Sequence, residues 1–177
     1  MYQVGDLIIY GGDGVCRVEK VGPGPFSGQG VERTYYTLKP CYGKGVIYAP
    51  TDVGVPMRPV LTKEEAWDLI RSIPHMEADP SGLGDARQAA QVYKSLLQTY
   101  DNANLIRLIR LIYRKNQAAI SRGRGYGHID ERFLKRAKDL LHGELAIALD
   151  IPLEQVEDTI AQAVAQESAS AEQASCQ

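Results

Sequence analysis

The sequence predicts an α+β protein of two domains, a small SH3-like or Tudor-like β barrel followed by an all-α helical domain. Three observations predict it. Short segments rich in Val, Ile, Tyr and Thr alternate with glycine turns up to about residue 55. Apolar residues then recur at helical spacing from Thr62 onward. Between the first helical pattern and the rest, Pro74, Pro80, Ser81, Gly82 and Gly84 interrupt all periodicity.

The strand signals are Val4 to Tyr10, Gly14 to Val21, Arg33 to Lys39 and Gly45 to Ala49. Gly11-Gly12-Asp13-Gly14, Gly22-Pro23-Gly24-Pro25 and Tyr42-Gly43-Lys44-Gly45 supply the turns between them. Strands this short, packed into so little chain, suit a small barrel. Thr62 followed by Glu65 forms a capping box, in which hydroxyl and carboxylate satisfy orphan backbone donors at a helix start. Ala66, Leu69 and Ile70 are the apolar face of that helix, and Pro74 ends it. Further helices are expected near 84 to 99, 102 to 120, 130 to 149 and 153 to 165, the last opened by Pro152. From Glu167 the chain is Ala, Ser, Gln and Glu with little to bury, so a disordered tail is expected. The division is therefore 1–60 barrel, 61–82 helix and linker, 83–166 basic helical domain and 167–177 tail.

The net charge of -2 conceals a separation along the chain. Residues 81 to 142 carry twelve basic and five acidic side chains, whereas residues 143 to 177 carry none against seven. A basic block of this kind points to a polyanionic partner. No apolar run approaches the length of a membrane span, and the N-terminus lacks a basic region followed by an apolar core, so a cytoplasmic protein without a membrane partner is expected. Cys16, Cys41 and Cys176 form no Cys-x-x-Cys pair, which argues against a disulfide framework or a zinc site; Cys16 and Cys41 read as core thiols and Cys176 as a tail residue.

In the helix from 102, Leu105, Leu108, Ile109 and Ile112 recur on one side, and Arg107, Arg110 and Arg114 on the other. Asp and Glu are absent from 102 to 129, so no i,i+4 pair neutralises that row, and phosphate contact is expected. Arg122 and Arg124 sit in a glycine-rich connector able to reach a nucleic-acid backbone. In the next helix Phe133, Leu134, Ala137, Leu140, Leu141 and Leu145 face inward, and Arg132, Lys135, Arg136 and Lys138 occupy the remaining surface. Glu144 falls on the apolar stripe and reads as a carboxylate paired with an arginine or a capping group. Trp67 reads as core. His75, His128 and His142 are scattered, and no nucleophile elbow or metal-ligand spacing appears, so no enzyme, cofactor, metal or small-molecule substrate is expected.

The chain resembles the CarD/CdnL family of bacterial transcription regulators, whose barrel is similar to the polymerase-interacting domain of the transcription-repair coupling factor. The barrel likeness rests on Val4-Gly5-Asp6, Tyr10, Gly14-Val15 with Val18, Tyr35-Tyr36-Thr37-Leu38-Lys39 and Ala49-Pro50. The helical likeness rests on Arg132-Phe133-Leu134, Ala137-Lys138 and Gly143-Glu144-Leu145-Ala146. The resemblance implies a barrel that binds the RNA polymerase β subunit by strand addition, with Phe26, Ile47 and Tyr48 as contacts and Gly24 where some members carry arginine. It also implies a helical domain on double-stranded promoter DNA near the upstream bubble edge, modulating open-complex stability. Arg132, Arg136, Lys138 and Arg87 would hold phosphates there; the family's wedging tryptophan aligns near Ala86, and Leu83 is the apolar residue nearby that could serve as a wedge instead. The competing reading is an RNA-binding or ribosome-associated protein in which Tyr10, Tyr35, Tyr36, Tyr42 and Tyr48 stack on bases.

Overall fold

The computed structural model describes residues 1–25, 33–52 and 54–175, and its contacts divide the chain into two units, Met1–Val60 and Leu61–Gln177. In the first unit, five strands among the described residues form one antiparallel sheet: β1 (Leu7–Tyr10), β2 (Gly14–Pro23), β3 (Thr34–Pro40), β4 (Ile47–Pro50) and β5 (Met57–Pro59), in the order β4-β3-β2-β1-β5. The expected class stands, but the expected closed barrel does not follow from the pairing. The order leaves β4 and β5 as edges, and no ladder among the described residues joins them.

Gly14 (φ 73) makes the turn from β1 into β2 in the left-handed region that glycine tolerates, which sets Leu7 opposite Arg17 and Ile9 opposite Val15. Alternation then decides the inner face. Ile8, Tyr10, Cys16, Val18, Tyr36, Leu38 and Ala49 form the core of the unit, with Tyr2, Val21, Ile47 and Met57 packed on it. An irregularity between Val18 and Lys20 shifts the register of β2 against β3. β5 has no counterpart among the strand signals of the sequence: three residues ending in proline carry almost no alternation, yet Gly11 N–H donates to Pro56 O and Val60 N–H to Leu7 O, fastening the segment to β1. Cys16 is buried, and desolvation pushes its thiol up to about 12. Cys41, expected inside, is exposed because it lies just past the end of β3. Cys176 lies outside the described residues.

The second unit contains α1 (Lys63–Ser72), α2 (Ala86–Leu97), α3 (Asn102–Ser121), α4 (His128–Leu149) and α5 (Val156–Ser175). The capping box at Thr62 and Glu65 is formed in both directions, and Asp85 with Gln88 makes a second one at the start of α2. α1 packs on α4 and α5, so the segment expected to be helix and linker contributes Ala66 and Ile70 to the same core as α2, α3 and α4. Leu83 and Ala78 are buried as well, which makes 73–83 an ordered strap rather than a free connector. α4 ends at Asp150 (φ 55), a left-handed C-cap whose N–H returns to the last turn. The chain then passes Pro152 into a 3-10 turn at Leu153–Gln155 before α5 begins. α5 runs to Ser175, past Glu167 where a disordered tail was expected; Ala, Gln and Glu are strong helix formers, and that local preference is enough where burial is slight.

Trp67 is half-buried against this core, as its apolar setting implied. Glu144 is only 1% exposed. Its Oε1 accepts from Leu61 N–H (3.0 Å) and its Oε2 from Asn102 Nδ2 (2.8 Å), so one carboxylate on α4 serves both the entry to α1 and the first turn of α3. Substituting Glu144→Ala leaves the buried Asn102 amide and the half-buried Leu61 N–H unserved, and is expected to lower the unfolding free energy by about 3 kcal/mol in urea titrations followed by Trp67 fluorescence. A loss below about 1 kcal/mol would contradict this role.

Candidate docking edge and nucleic-acid interface

The candidate docking edge is built from β3 outward. Tyr36 and Leu38 of β3 point into the core and hold Ala49 and Ile47 of β4 opposite them, and Thr51 N–H closes the end of the ladder on Thr34 O at 3.0 Å. Alternation therefore turns Tyr48 outward, 42% exposed, with Val46 before it 48% exposed. Ile47 is half-buried on the core, so its side chain positions β4 rather than lining the outer face. Among the described residues, no strand pairs with the outer side of β4.

Gly24 has a packing duty beside β3. A Cβ there would lie 2.5 Å from Cδ2 of Tyr35, so any larger residue, an arginine included, requires the Tyr35 ring to move. Phe26 lies outside the described residues. Of the five tyrosines considered for base stacking, Tyr10 and Tyr36 are buried in the core and Tyr35 is half-buried, leaving Tyr42 and Tyr48 exposed.

In the helical unit the arginine row of α3 splits by partner. Arg107 is exposed and donates to Asn104 Oδ1 at 3.2 Å. Arg110 donates to Ile73 O (2.6 Å) and Arg114 to Ala78 O (2.7 Å), carbonyls at and beyond the end of α1. Two of the three guanidiniums expected to meet phosphate therefore also brace the strap: Arg110 serves an orphan carbonyl at the C-terminus of α1, and Arg114 a carbonyl of the irregular chain before Pro80. The missing carboxylates of 102–129 are replaced from outside that window. Lys115 pairs with Asp130, 4% exposed, at 3.0 Å, and Asn116 Nδ2 donates to the same carboxylate at 2.7 Å. Burial, and then Asp130, push the nearby Tyr93 hydroxyl upward.

On α4, Arg132 lies over the Phe133 ring at 5.5 Å, Lys135 pairs with Asp139 at 2.9 Å, and Arg136 is exposed. Lys138 is the most constrained: it donates to Glu157 of α5 at 2.6 Å and sits 5.3 Å from the Tyr113 ring. Burial disfavours its charge, but the bonds to Glu157 and Tyr113 outweigh that and raise its pKa, while Lys138 in turn holds Glu157 below the usual carboxylate range. Arg87 is exposed on the first turn of α2. Arg122 and Arg124 are exposed in the turn that follows α3, where Gly123 (φ 72) lets the chain reverse and Arg124 N–H returns to Ala119 O. The exposed cations thus include the α3–α4 connector, the start of α2 and the outer face of α4. Among the described residues, no group of three His, Cys, Asp or Glu is arranged to hold a metal, and no helix is long and apolar enough to cross a membrane.

Leu83, the candidate apolar wedge, is 5% exposed within the helical core. It cannot enter a base step without leaving that core, where burial of a leucine is strongly favoured. Residues 2–61 match the family described as the CarD-like/TRCF RID domain, and the match ends beside the boundary between the two units. No curated protein matches the chain. Leu83→Ala is expected to destabilise the folded chain by about 3 kcal/mol, read by thermal or urea unfolding, as a core leucine does and a solvent-facing wedge does not.

Proposed function

We propose that this chain, whose residues 2–61 form a CarD-like/TRCF RID domain and so carry the RNA polymerase interaction at the level of the family, is a non-enzymatic transcription regulator of the bacterial cytoplasm. Its first unit docks on the β subunit of RNA polymerase. Its helical unit contacts double-stranded promoter DNA near the upstream edge of the bubble and modulates open-complex stability. The observation that carries the reading is β4: an edge strand by sheet order, with Tyr48 and Val46 exposed, inside the unit that matches the polymerase-interacting family. Strand addition supplies affinity through main-chain hydrogen bonds and selectivity through outward side chains such as Tyr48.

The DNA side is supported by the exposed Arg87, Arg107, Arg122, Arg124, Arg132 and Arg136 and by the concentration of basic residues between 81 and 142. Contacts from such side chains to phosphate position a duplex without reading its sequence. The RNA-stacking alternative is weakened by the burial of Tyr10 and Tyr36, since a stacking platform needs ring faces open to solvent.

Two measurements test the reading. In calorimetric titration of the full chain against the polymerase β subunit, Tyr48→Ala is expected to weaken binding about ten-fold, as truncation of an interface tyrosine does. Binding of Tyr48→Ala indistinguishable from the parent would remove β4 as the docking edge. With a promoter duplex, affinity is expected to fall with salt, and Arg122→Ala with Arg124→Ala is expected to reduce the log–log salt slope by about two. An unchanged slope would take the connector out of the DNA contact.

A further inference from the structure

A cleft of about 280 Å³ opens between α3, α4 and α5, walled by Ile106, Ile109, Leu141, Ile160 and Val164. Helical interiors pack to crystal density, and this cleft, open on one side, instead leaves its apolar lining against solvent. Its polar residues are Arg110, Tyr113, Lys138, His142 and Glu157. Lys138 and Glu157 neutralise each other. Burial lowers the pKa of His142 further than the neighbouring Glu157 raises it, which keeps the ring neutral near pH 7.

Arg110 is left over. Its Nη1 donates to Ile73 O, its Nε is buried with no acceptor, and no carboxylate among the described residues lies within ion-pair distance of it. Its charged neighbour Arg114 is of like sign and, after burial, is the second cause that depresses its pKa. A half-buried guanidinium with donors to spare, set in the wall of an apolar void, is costly unless an anion completes it. An apolar body on a single carboxylate matches both the lining and its net charge of one positive unit.

We propose that this cleft is an effector site for an apolar monocarboxylate, with the acyl chain between α3, α4 and α5 and the carboxylate on Arg110. Free inorganic phosphate, or a phosphate of a duplex, would leave the apolar walls unfilled. The site is independent of polymerase docking and DNA contact, and it is tested without either partner.

The experiment is calorimetric titration of the full chain with octanoate below its micellar concentration, with 1-octanol, octylamine and inorganic phosphate as comparisons. Saturable 1:1 binding of octanoate is expected, with 1-octanol weaker by about ten-fold or more because it lacks the charge-assisted contact to Arg110. Octylamine and phosphate are expected not to bind. Arg110→Met should lose that ten-fold advantage for octanoate while leaving 1-octanol unchanged. Val164→Phe, which fills the cleft, should abolish binding of both. The proposal is overturned if octanoate shows no saturable binding, if 1-octanol or phosphate binds as well as octanoate, or if the Arg110→Met protein binds octanoate like the parent. Should Arg110→Met fail to fold, the octanoate and octanol comparison on the unaltered chain and on Val164→Phe decides the matter alone.

Discussion

Burying a carboxylate is unfavourable by several kcal/mol unless its oxygens are served, and the helical unit is organised around serving Glu144. Leu61 N–H and Asn102 Nδ2 approach it from two chain segments that are far apart in sequence. That joins the point where the chain enters the helical unit to the start of α3, and both to the middle of α4. Once these three points are fixed, Ala66 and Ile70 of α1 meet the core, and the strap from Ile73 to Leu83 is drawn across α3, where Arg110 and Arg114 hold its carbonyls. The buried Asp130, with Lys115 and Asn116, repeats the device at the other end of the α3–α4 pair. Polar interactions therefore fix how these helices align, while apolar burial supplies most of the driving force.

Much of the fold was legible because its signals are local. The capping box at Thr62, the glycine at the β1–β2 turn and the apolar stripes of α3 and α4 each depend on residues within a few positions of one another. β5 was not legible, because a three-residue edge strand is defined by its neighbour β1 and not by its own alternation. Nor was the helical extent of α5, whose composition suits an exposed helix and a disordered tail equally well.

The candidate sites divide along the same line. Tyr48 was singled out through the family resemblance, together with Ile47, and the arginines of the α3–α4 connector through their glycine-rich setting; Tyr48, Arg122 and Arg124 are exposed, and Ile47 is half-buried. Arg110, Arg114 and Lys138 could not be distinguished from their neighbours, since the carbonyls of Ile73 and Ala78 and the carboxylate of Glu157 lie 37, 36 and 19 positions away. Leu83 was misplaced for a related reason. A leucine between glycines in a proline-rich stretch looks like a loop tip until the strap that carries it is seen to pack.

The two margins of the β-sheet are unequal. β5 is three residues long, bounded by Pro56 and ending in Pro59, and proline offers no amide hydrogen to an incoming chain. β4 has no such blunting before Pro50. A proline within a margin removes one of the amide hydrogens that an incoming strand would need, so of the two edges the shorter β5 is the poorer template for strand pairing between copies.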